Sequence, residues 1–495
     1  MDATSSTAVI TSTAHGTAVD RLLLAAVLLL ALVLRLRGID SFGFEQDEIY
    51  TIMESRDLFR TNLRPGIDGR PLYFLLQHVL LEILPENHVG LRIVPLLFGM
   101  LGVWVTALIG WRVFAPRAGI AAAFFLAIAP WHLHSSIFAR YWSLLYLLAA
   151  VFFLFLWQSY RTDRAAHYRV ALVALILGSA THPSFVFAAF GAAVGVSLVS
   201  KDGRFGLRWP SATAWRNLWV PYLLFLATAL TTLRLTGNSS ALQNWGGRGV
   251  LASLRIIPAV VEWLSPIVAL AAVLGALGAW FEKEAGRRSM GSMTLCGCVI
   301  ALALLFFASL RTDIYADYAV PILPLIFVSA GGLLQLLGDR VRSRPDVIMG
   351  GAAALVAAAV FPSTASHLSD GTRFEYRPAF DYIRRTEPEV MMLTWPWVIA
   401  NRYAPDLPTT YLRMNLTFLD STLVANRNLW VVASMRRHGM VVDDDGAVTR
   451  WLGDHCTLEF SHEKPRWDYR LYRVDLHRCQ SSTSPLESTT SSSGN

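Results

Sequence analysis

Two adjacent acids, Asp47 and Glu48, lie in a polar segment that follows the first long apolar stretch of the chain. A carboxylate within hydrogen-bond reach of a hydroxyl or an amine can remove its proton. A carboxylate can also stabilise the positive charge that develops at the anomeric carbon of a sugar when the bond to a leaving group breaks. Acids in loops are often only solvated surface groups, so the residues that accompany this pair decide its meaning.

Arginines, a tyrosine and a histidine stand at the ends of later apolar stretches. The arginine fork binds phosphate oxygens through two hydrogen bonds and stays charged. Arginines at such positions can also simply extend to a membrane interface, and histidines at helix ends can simply satisfy backbone groups. The candidate binding residues are Arg70, Arg92, Arg140, Tyr141, His182 and Arg311. Arg311 could instead join Asp313 and Asp317 in a structural ion-pair network.

No cluster of cysteines or acids accompanies the histidines, so the sequence predicts neither a metal site nor a cofactor. Cys296 and Cys298 are predicted to pack inside a helix. Cys456 and Cys479 could form a disulfide if their domain lies in an oxidising space.

The elements that must position the candidate residues are membrane-spanning helices. Hydrophobic residues make up 54% of the 495 residues and charged residues 16%, against roughly 45–50% and 25% in soluble domains. Apolar stretches of about 17–25 residues can cross a bilayer because a helix satisfies its own backbone. We predict about eleven spans, near 21–37, 91–111, 118–138, 141–158, 169–181, 183–200, 216–234, 263–281, 291–310, 318–338 and 346–361.

Basic residues occur in alternate breaks between these spans. Lysine and arginine accumulate in cytoplasmic loops, so the breaks near Arg112, Arg161, Lys201, Lys283 and Arg340 are predicted to face the cytoplasm. The N-terminus is then on the cytoplasmic side of a cell inner (plasma) membrane. The C-terminal part is on the outer side, because the predicted number of spans is odd. The net charge of +7 arises mainly from these short breaks, which argues against nucleic-acid binding.

Two external loops separate spans on the outer face. The first covers residues 38–90 and includes a helix predicted over 71–85 that is too short to span and lies along the membrane surface. The second covers residues 235–262 and contains a glycine-rich segment beside Trp245.

The fold class predicted is an all-α polytopic membrane domain followed by a small external α/β domain. The domains are a cytoplasmic tail over 1–20, a transmembrane domain over 21–361, an external (periplasmic) domain over 362–479 and a disordered tail over 480–495. In the external domain we predict a helix over Pro378–Thr386 and strands over Val390–Leu393, Leu429–Ala433 and Leu471–Val474.

The candidate residues concentrate on the predicted outer face, and no ionisable residue falls near the middle of a span. An ion-coupled transporter needs charge near the midplane of the membrane, often on broken helices in inverted repeats. An enzyme that acts on a lipid headgroup needs polar groups at headgroup depth on one face. The distribution favours an enzyme.

Several short motifs resemble those of the C-type-fold membrane glycosyltransferases. Within this family, the chain is similar to the group that contains the protein O-mannosyltransferases and the aminoarabinose (lipid A) transferases. The runs are Phe44-Glu45-Gln46-Asp47-Glu48, Gly69-Arg70-Pro71-Leu72-Tyr73, Leu91-Arg92 and Ala139-Arg140-Tyr141, and weaker matches lie at Arg311–Pro324 and Phe374–Arg384. The family often has His-Pro-Pro-Leu where this chain has Gly69-Arg70-Pro71-Leu72. The resemblance implies that Asp47 is the catalytic base, that Glu48 is its partner acid, and that Arg92 and Arg140 lie near the donor.

The predicted function is an inverting transfer of a sugar from a polyprenyl-phosphate donor to a lipid, glycan or protein acceptor at the outer face of the lipid bilayer. A flippase or exporter of lipid-linked saccharides is the alternative, and a non-catalytic scaffold that displays the external domain is a second. The scaffold predicts that changes in the first loop are harmless, whereas changes in residues 362–480 are not.

Overall fold

The computed structural model describes residues 16–58, 70–200, 203–235, 250–311, 314–341, 345–371, 373–436, 439–440, 443, 446–463 and 472–481. The chain divides into two units. The first consists of Met1–Ser41 and Thr51–Ser369, and the second of Phe42–Tyr50 and Asp370–Asn495. A short piece of the first predicted external loop, which carries both acids, therefore belongs to the same unit as the C-terminal part of the chain.

The first unit is helical. Its helices are α1 (Ala18–Leu36), α2 (Gln46–Arg56, which begins in the second unit), α3 (Pro71–Leu81), α4 (His88–Val113), α5 (Pro116–Ile128), α6 (Pro130–Ser136), α7 (Trp142–Thr162), α8 (Ala165–Thr181), α9 (Phe185–Ser197), α10 (Ala212–Ala214), a π-helical turn (Trp215–Trp219), α11 (Val220–Leu235), α12 (Val250–Leu254), α13 (Ile256–Leu264), α14 (Pro266–Trp280), α15 (Ala285–Ser309), a 3₁₀ helix (Ala316–Ile322), α16 (Leu323–Arg340) and α17 (Pro345–Asp370).

In the described part of the chain, five helices are long and apolar enough to cross a membrane, or seven if each of two bent pairs is one span. The protein is therefore a multi-pass membrane protein, as predicted. The shorter apolar helices α3, α8 and α9 account for part of the difference from the expected number. A count of eleven spans stays a prediction.

The bent pairs interrupt two of the predicted spans. Helices α5 and α6 meet at 70°, and helices α13 and α14 meet at 96°. A proline begins the second helix of each pair, and the residue before a proline is pushed out of the helical conformation. Ala129, which precedes Pro130, is extended, and Ser265, which precedes Pro266, has a φ of 73°. The predicted range 118–138 is therefore two helices, whereas the range 263–281 begins just before the break at Ser265 and otherwise corresponds to the single helix α14.

The predicted breaks of the candidate region are confirmed where the structure describes them. Helix α8 ends at Thr181 and α9 begins at Phe185, so the tight turn at Thr181–Pro183 exists. The helix predicted over 71–85 is found as α3. The glycine-rich segment beside Trp245 lies outside the described residues. Helix α17 continues past Phe361 to Asp370, beyond the change in composition.

Small residues let neighbouring helices of the first unit approach closely. A Cβ added at Gly195 of α9 would lie 2.4 Å from the Ser292 carbonyl oxygen of α15. The Ser292 hydroxyl in turn donates to the Gly195 carbonyl at 2.7 Å. Such contacts replace the hydrophobic driving force that is missing between helices in lipid.

The second unit contains a mixed sheet with helices. Its strands are β1 (Met392–Thr394), β2 (Thr409–Tyr411), β3 (Asn428–Arg436), β4 (Gly439–Met440), β5 (Cys456–Glu463) and β6 (Arg473–Gln480), and its helices are α18 (Arg377–Thr386), α19 (Trp397–Tyr403), α20 (Leu416–Asn426) and α21 (Ala447–His455). The strand order is β2-β1-β3-β6-β5, with β4 paired to β3. β1 is parallel to β2 and β3, whereas β6 is antiparallel to β3 and β5. The predicted α/β character is confirmed.

Several details of this unit follow from its sequence. Pro378 occupies the first turn of α18, where its missing N–H is no loss. Ala379, Phe380 and Ile383 form the buried face of that helix. Strand β6 extends to Gln480, which pairs with Asn428, so the predicted tail begins one residue too early. Residues 482–495 of that tail lie outside the described residues.

A disulfide joins Cys456 to Cys479 across strands β5 and β6. The two residues are directly opposite each other in the antiparallel register, which brings their Cα atoms to 4.0 Å. The bond closes the edge strand onto the sheet. It agrees with the sequence expectation for a domain in an oxidising space.

The orientation predicted from the basic residues can be tested by cysteine labelling. Cysteine at position 204 should be protected from an impermeant thiol reagent in intact cells, and cysteine at position 459 should be labelled, because Arg204 lies in a predicted cytoplasmic break and Glu459 in the predicted external domain. Both residues are exposed. Gly203 is avoided because its φ of 78° suits only glycine.

The labelling uses a background in which Cys296 and Cys298, the free cysteines, are replaced by alanine. Permeabilised cells provide the control, since both positions should then react. Labelling of position 204 in intact cells would overturn the predicted orientation.

Candidate functional site

Four of the predicted binding residues share one set of contacts in the first unit, which we call the arginine–ring cluster: Arg70, Arg140, Tyr141 and His182. The guanidinium carbon of Arg70 lies 5.0 Å from the centre of the Tyr141 ring, and that of Arg140 lies 5.3 Å from the same ring. His182 stacks on Tyr141 with the ring centres 5.2 Å apart and the planes at 23°.

The four side chains of the cluster lie at helix ends and at a break between helices. Arg70 immediately precedes α3, whose first residue is Pro71. Tyr141 immediately precedes α7, and Arg140 stands beside it. His182 occupies the break between α8 and α9, where Pro183 forces it into an extended conformation. The cluster therefore depends on breaks between helices. In a continuous helix, these side chains would pack against neighbouring helices.

Further aromatic rings enclose the cluster. Tyr318, from the 3₁₀ helix, contacts His182 with ring centres 4.7 Å apart, and Trp142 contacts the same histidine at 5.4 Å. Tyr73 approaches Tyr141 edge-on at 6.2 Å. Tyr141 and His182 are buried, whereas Arg70 and Arg140 are half-buried. The charged ends of the cluster are therefore the more accessible part.

His182 is a neutral ring in this environment. Its Nδ1 accepts the backbone N–H of Ser184 at 3.2 Å and lies 2.8 Å from the Ser184 hydroxyl oxygen. Burial lowers the pKa of His182 well below its usual value, and the positive charges of Arg70 and Arg140 lower this pKa further. With Nδ1 accepting, the proton of the neutral ring is on Nε2. The cluster thus offers two guanidinium groups and one neutral hydrogen-bond donor.

The predicted acids lie in the second unit. Glu48 is fully buried, and its Oε2 lies 3.3 Å from Nη1 of Arg373, which is also fully buried. The same carboxylate oxygen accepts the backbone N–H of Glu45 at 2.9 Å. That contact is half of a capping box, because Glu45 precedes α2 and Glu48 is the third residue of the helix. Asp47, by contrast, is exposed.

Other residues of the second unit hold the acid-bearing segment by its backbone. Arg373 donates to the Gly43 carbonyl at 3.3 Å, and the Tyr403 hydroxyl accepts the Phe44 N–H at 2.6 Å. The Gly43 N–H donates to Glu375 at 3.4 Å. Glu375 also pairs with Arg377 at 2.6 Å, and this hydrogen-bonded carboxylate raises the pKa of Arg377.

The remaining predicted residues occupy different settings. Arg92 is fully buried near the start of α4 and donates to the Ile39 carbonyl at 3.2 Å. This contact gives Arg92 a structural role in holding the chain that follows α1. Arg311 is exposed just after α15. Asp313 lies outside the described residues, so the predicted ion-pair network around Arg311 is not described.

Sequence reasoning missed Arg373 and Arg35. Neither was among the candidate residues, and the cation that contacts Glu48 is Arg373. Its position directly before the Phe374–Arg384 stretch, which resembles the start of the family's external domain, was the available signal.

Arg35 is buried at the end of α1, inside the first predicted span. Its guanidinium donates to the carbonyls of Ala31 at 2.9 Å and Ala127 at 3.3 Å, and lies 2.7 Å from Nδ1 of His132. The His132 ring packs against Tyr146, whose hydroxyl lies 2.7 Å from that of Thr106. A buried cation held by carbonyls and an imidazole is costly, and marks this polar cluster as a feature of the fold that composition does not reveal.

The described part of the chain contains no group of three or more His, Cys, Asp or Glu side chains placed to hold a metal ion.

Comparison with known proteins identifies the fold. No protein-family model matches the sequence, and no curated protein matches it. Among solved structures, ArnT from Cupriavidus metallidurans bound to undecaprenyl phosphate matches with a TM-score of 0.56 and 14% identity over 93% of this chain and 98% of that chain. An Archaeoglobus fulgidus oligosaccharyltransferase tethered with an acceptor peptide containing the NVT sequon matches with a TM-score of 0.51 and 12% identity over 84% of this chain and 69% of that chain.

The chain has the fold of the C-type membrane glycosyltransferases. The likeness extends over nearly the whole length of ArnT, so it includes both the helical unit and the C-terminal unit. At such low identity it establishes the C-type fold and assigns no residue its role. The fold predicted from the motifs around Asp47, Arg70 and Arg140 is therefore confirmed.

Proposed function

We propose that this protein is an inverting glycosyltransferase that moves a sugar from a polyprenyl-phosphate carrier to an acceptor on the outer face of the membrane. The observation that carries the proposal is the pair of arginines, Arg70 and Arg140, on the buried Tyr141 ring beside a neutral His182. It occurs in a chain whose fold is that of an ArnT seen with undecaprenyl phosphate bound.

The arginine–ring cluster suits the leaving group. When the bond between the anomeric carbon and the phosphate oxygen breaks, its electron pair stays on the polyprenyl phosphate. Guanidinium groups stabilise the charge that develops there through paired hydrogen bonds. The neutral His182 can donate a further hydrogen bond through Nε2 without competing for the proton of the acceptor.

The acids divide the remaining work. The oxygen or nitrogen of the acceptor attacks the anomeric carbon from the face opposite the phosphate and loses its proton to a carboxylate. Asp47 is the better base because its side chain is exposed, whereas Glu48 is buried and paired with Arg373. A single displacement of this kind inverts the configuration at the anomeric carbon. Glu48 then holds its neighbour in place.

A flippase or exporter would use the same phosphate-binding residues, but it has no need of an exposed carboxylate beside a buried ion pair. The fold is also that of glycosyltransferases. A flippase moves the lipid without forming a new glycosidic bond. Loss of transfer with unchanged donor binding in an Asp47 variant would therefore separate the two functions.

The donor contact is tested at Arg140. Arg140→Ala should weaken binding of undecaprenyl phosphate to the purified protein by about tenfold or more, since a charge-assisted hydrogen bond contributes about 1.5–3 kcal/mol. Arg140→Lys should recover part of the affinity, because an ammonium group keeps the charge but cannot form the paired contact. Arg112→Ala, at an exposed arginine in a predicted cytoplasmic break, is the matched control and should bind normally. Unchanged affinity in Arg140→Ala would reduce this residue to an interface anchor.

The base is tested at Asp47. Asp47→Asn keeps the shape of the side chain and removes the proton acceptor, so turnover should fall about 10²–10⁴-fold. Undecaprenyl-phosphate affinity should change far less, because the lost interaction belongs to the transition state. Glu48→Gln should have a milder effect. The measurement is transfer by purified protein from a polyprenyl-phosphate sugar.

The acceptor is identified by comparing glycolipids and glycoproteins of a deletion strain with those of its parent. The Asp47→Asn gene should fail to restore the missing glycoconjugate. If Asp47→Asn is active and Glu48→Gln is inactive, the roles of the two acids are exchanged. If both variants are active, this loop is not catalytic.

A further inference from the structure

We propose that Arg373 is a positioning residue for the transfer reaction, which rests on the proposed function. Arg373 binds Glu48 in a buried ion pair and thereby fixes the orientation of the neighbouring Asp47 carboxylate. The acid-bearing segment is in this view held by the C-terminal part of the chain, 325 residues away in sequence.

The first argument is the burial of both partners. The side chains of Arg373 and Glu48 are each 0% exposed, and their closest charged atoms are 3.3 Å apart. A carboxylate buried without a cation is strongly destabilising, so the pair locks the two segments together rather than adding a marginal surface contact. Arg373 also lies 3.8 Å from Glu45, so it reaches both acids that flank the start of α2.

The second argument is that the same guanidinium binds the backbone of the segment. Arg373 donates to the Gly43 carbonyl, and its guanidinium carbon lies 5.5 Å from the centre of the Phe42 ring. Together with the capping contact from Glu45 to Glu48, these bonds define where α2 begins. Asp47 is in the first turn of that helix, so the direction of its side chain depends on where the turn starts.

The third argument is that the neighbouring contacts act in the same direction. The Tyr403 hydroxyl accepts the Phe44 N–H, and Arg402 lies 5.5 Å from the centre of the Phe44 ring. A catalytic group must be held by supporting contacts, and misplacement by about 1 Å can cost about 10²-fold in rate. Of these contacts, only the one from Arg373 joins a fully buried charge to the residue adjacent to Asp47.

The experiment is a double-mutant cycle with Glu48→Gln, Arg373→Gln and the double variant. Arg373→Gln should lower the transfer rate by about 10²-fold. Its affinity for undecaprenyl phosphate should stay within about twofold of wild type, since a positioning defect acts on the transition state. The double variant should be no slower than the slower single variant, because Arg373 acts through Glu48. The neutral pair in the double variant also keeps the test valid if Arg373→Gln alone unfolds.

Hydrogen exchange provides the readout that does not depend on activity. Amides of residues 42–50 should exchange faster in Arg373→Gln, while those of the β3–β6 ladder should not. Arg473→Gln is the matched control, because Arg473 pairs with the buried Asp475 at 2.9 Å in the same unit. This control should lower the melting temperature, leave the transfer rate unchanged and leave exchange in 42–50 unchanged.

The positioning role would be overturned if the rate reductions of the two single variants multiplied in the double variant. It would also be overturned if hydrogen exchange in residues 42–50 were the same in Arg373→Gln as in the wild type. A normal transfer rate in Arg373→Gln would overturn it as well. Absence of transfer by the wild-type protein would instead overturn the proposed function, and the two failures are therefore distinguishable.

Discussion

The buried carboxylate of Glu48 has to be compensated, and Arg373 supplies the cation. This requirement explains why the segment Phe42–Tyr50 belongs to the same unit as the C-terminal domain, although α1 and most of the helices that follow it belong to the other. The same ion pair distinguishes two adjacent acids that look equivalent in sequence. Glu48 is buried in the ion pair, whereas Asp47 is exposed, and the proposed function assigns the proton transfer to Asp47.

A second constraint comes from the lipid. Continuous helices satisfy their own backbone hydrogen bonds in the lipid. Polar side chains that bind a ligand are therefore expected where helices end or break. The arginine–ring cluster follows this rule, since it draws on the start of α3, the start of α7 and the break at His182. Prolines at positions 71 and 183 fix two of these places. The structure thus achieves a concentration of positive charge without placing these arginines within a continuous helix.

Hydrophobic length and local motifs predicted a helical membrane fold followed by a small α/β part, and the motifs also named the four residues that the structure brings into contact in the arginine–ring cluster. Sequence reasoning predicted one span over 118–138, where the residue before Pro130 leaves the helix, and it began the span 263–281 just before the break at Ser265. It could not predict the Arg373–Glu48 pair, because this contact joins residues that are 325 positions apart in sequence. The pattern of hydrophobic residues along the chain contains no information on such a contact. Arg35 was missed for a similar reason: its neighbours Ala127 and His132 come from other helices.

The most direct test of the central claim is photo-crosslinking of the purified protein with a photoreactive undecaprenyl phosphate, followed by peptide mapping. The account predicts labelled peptides that contain Arg140 and Tyr141 or His182, and competition by undecaprenyl phosphate but not by undecaprenol, which lacks the phosphate. Arg140→Ala should reduce this labelling. Labelling restricted to the lipid-exposed helix faces, or equal competition by undecaprenol, would contradict the claim that these residues bind a polyprenyl-phosphate donor.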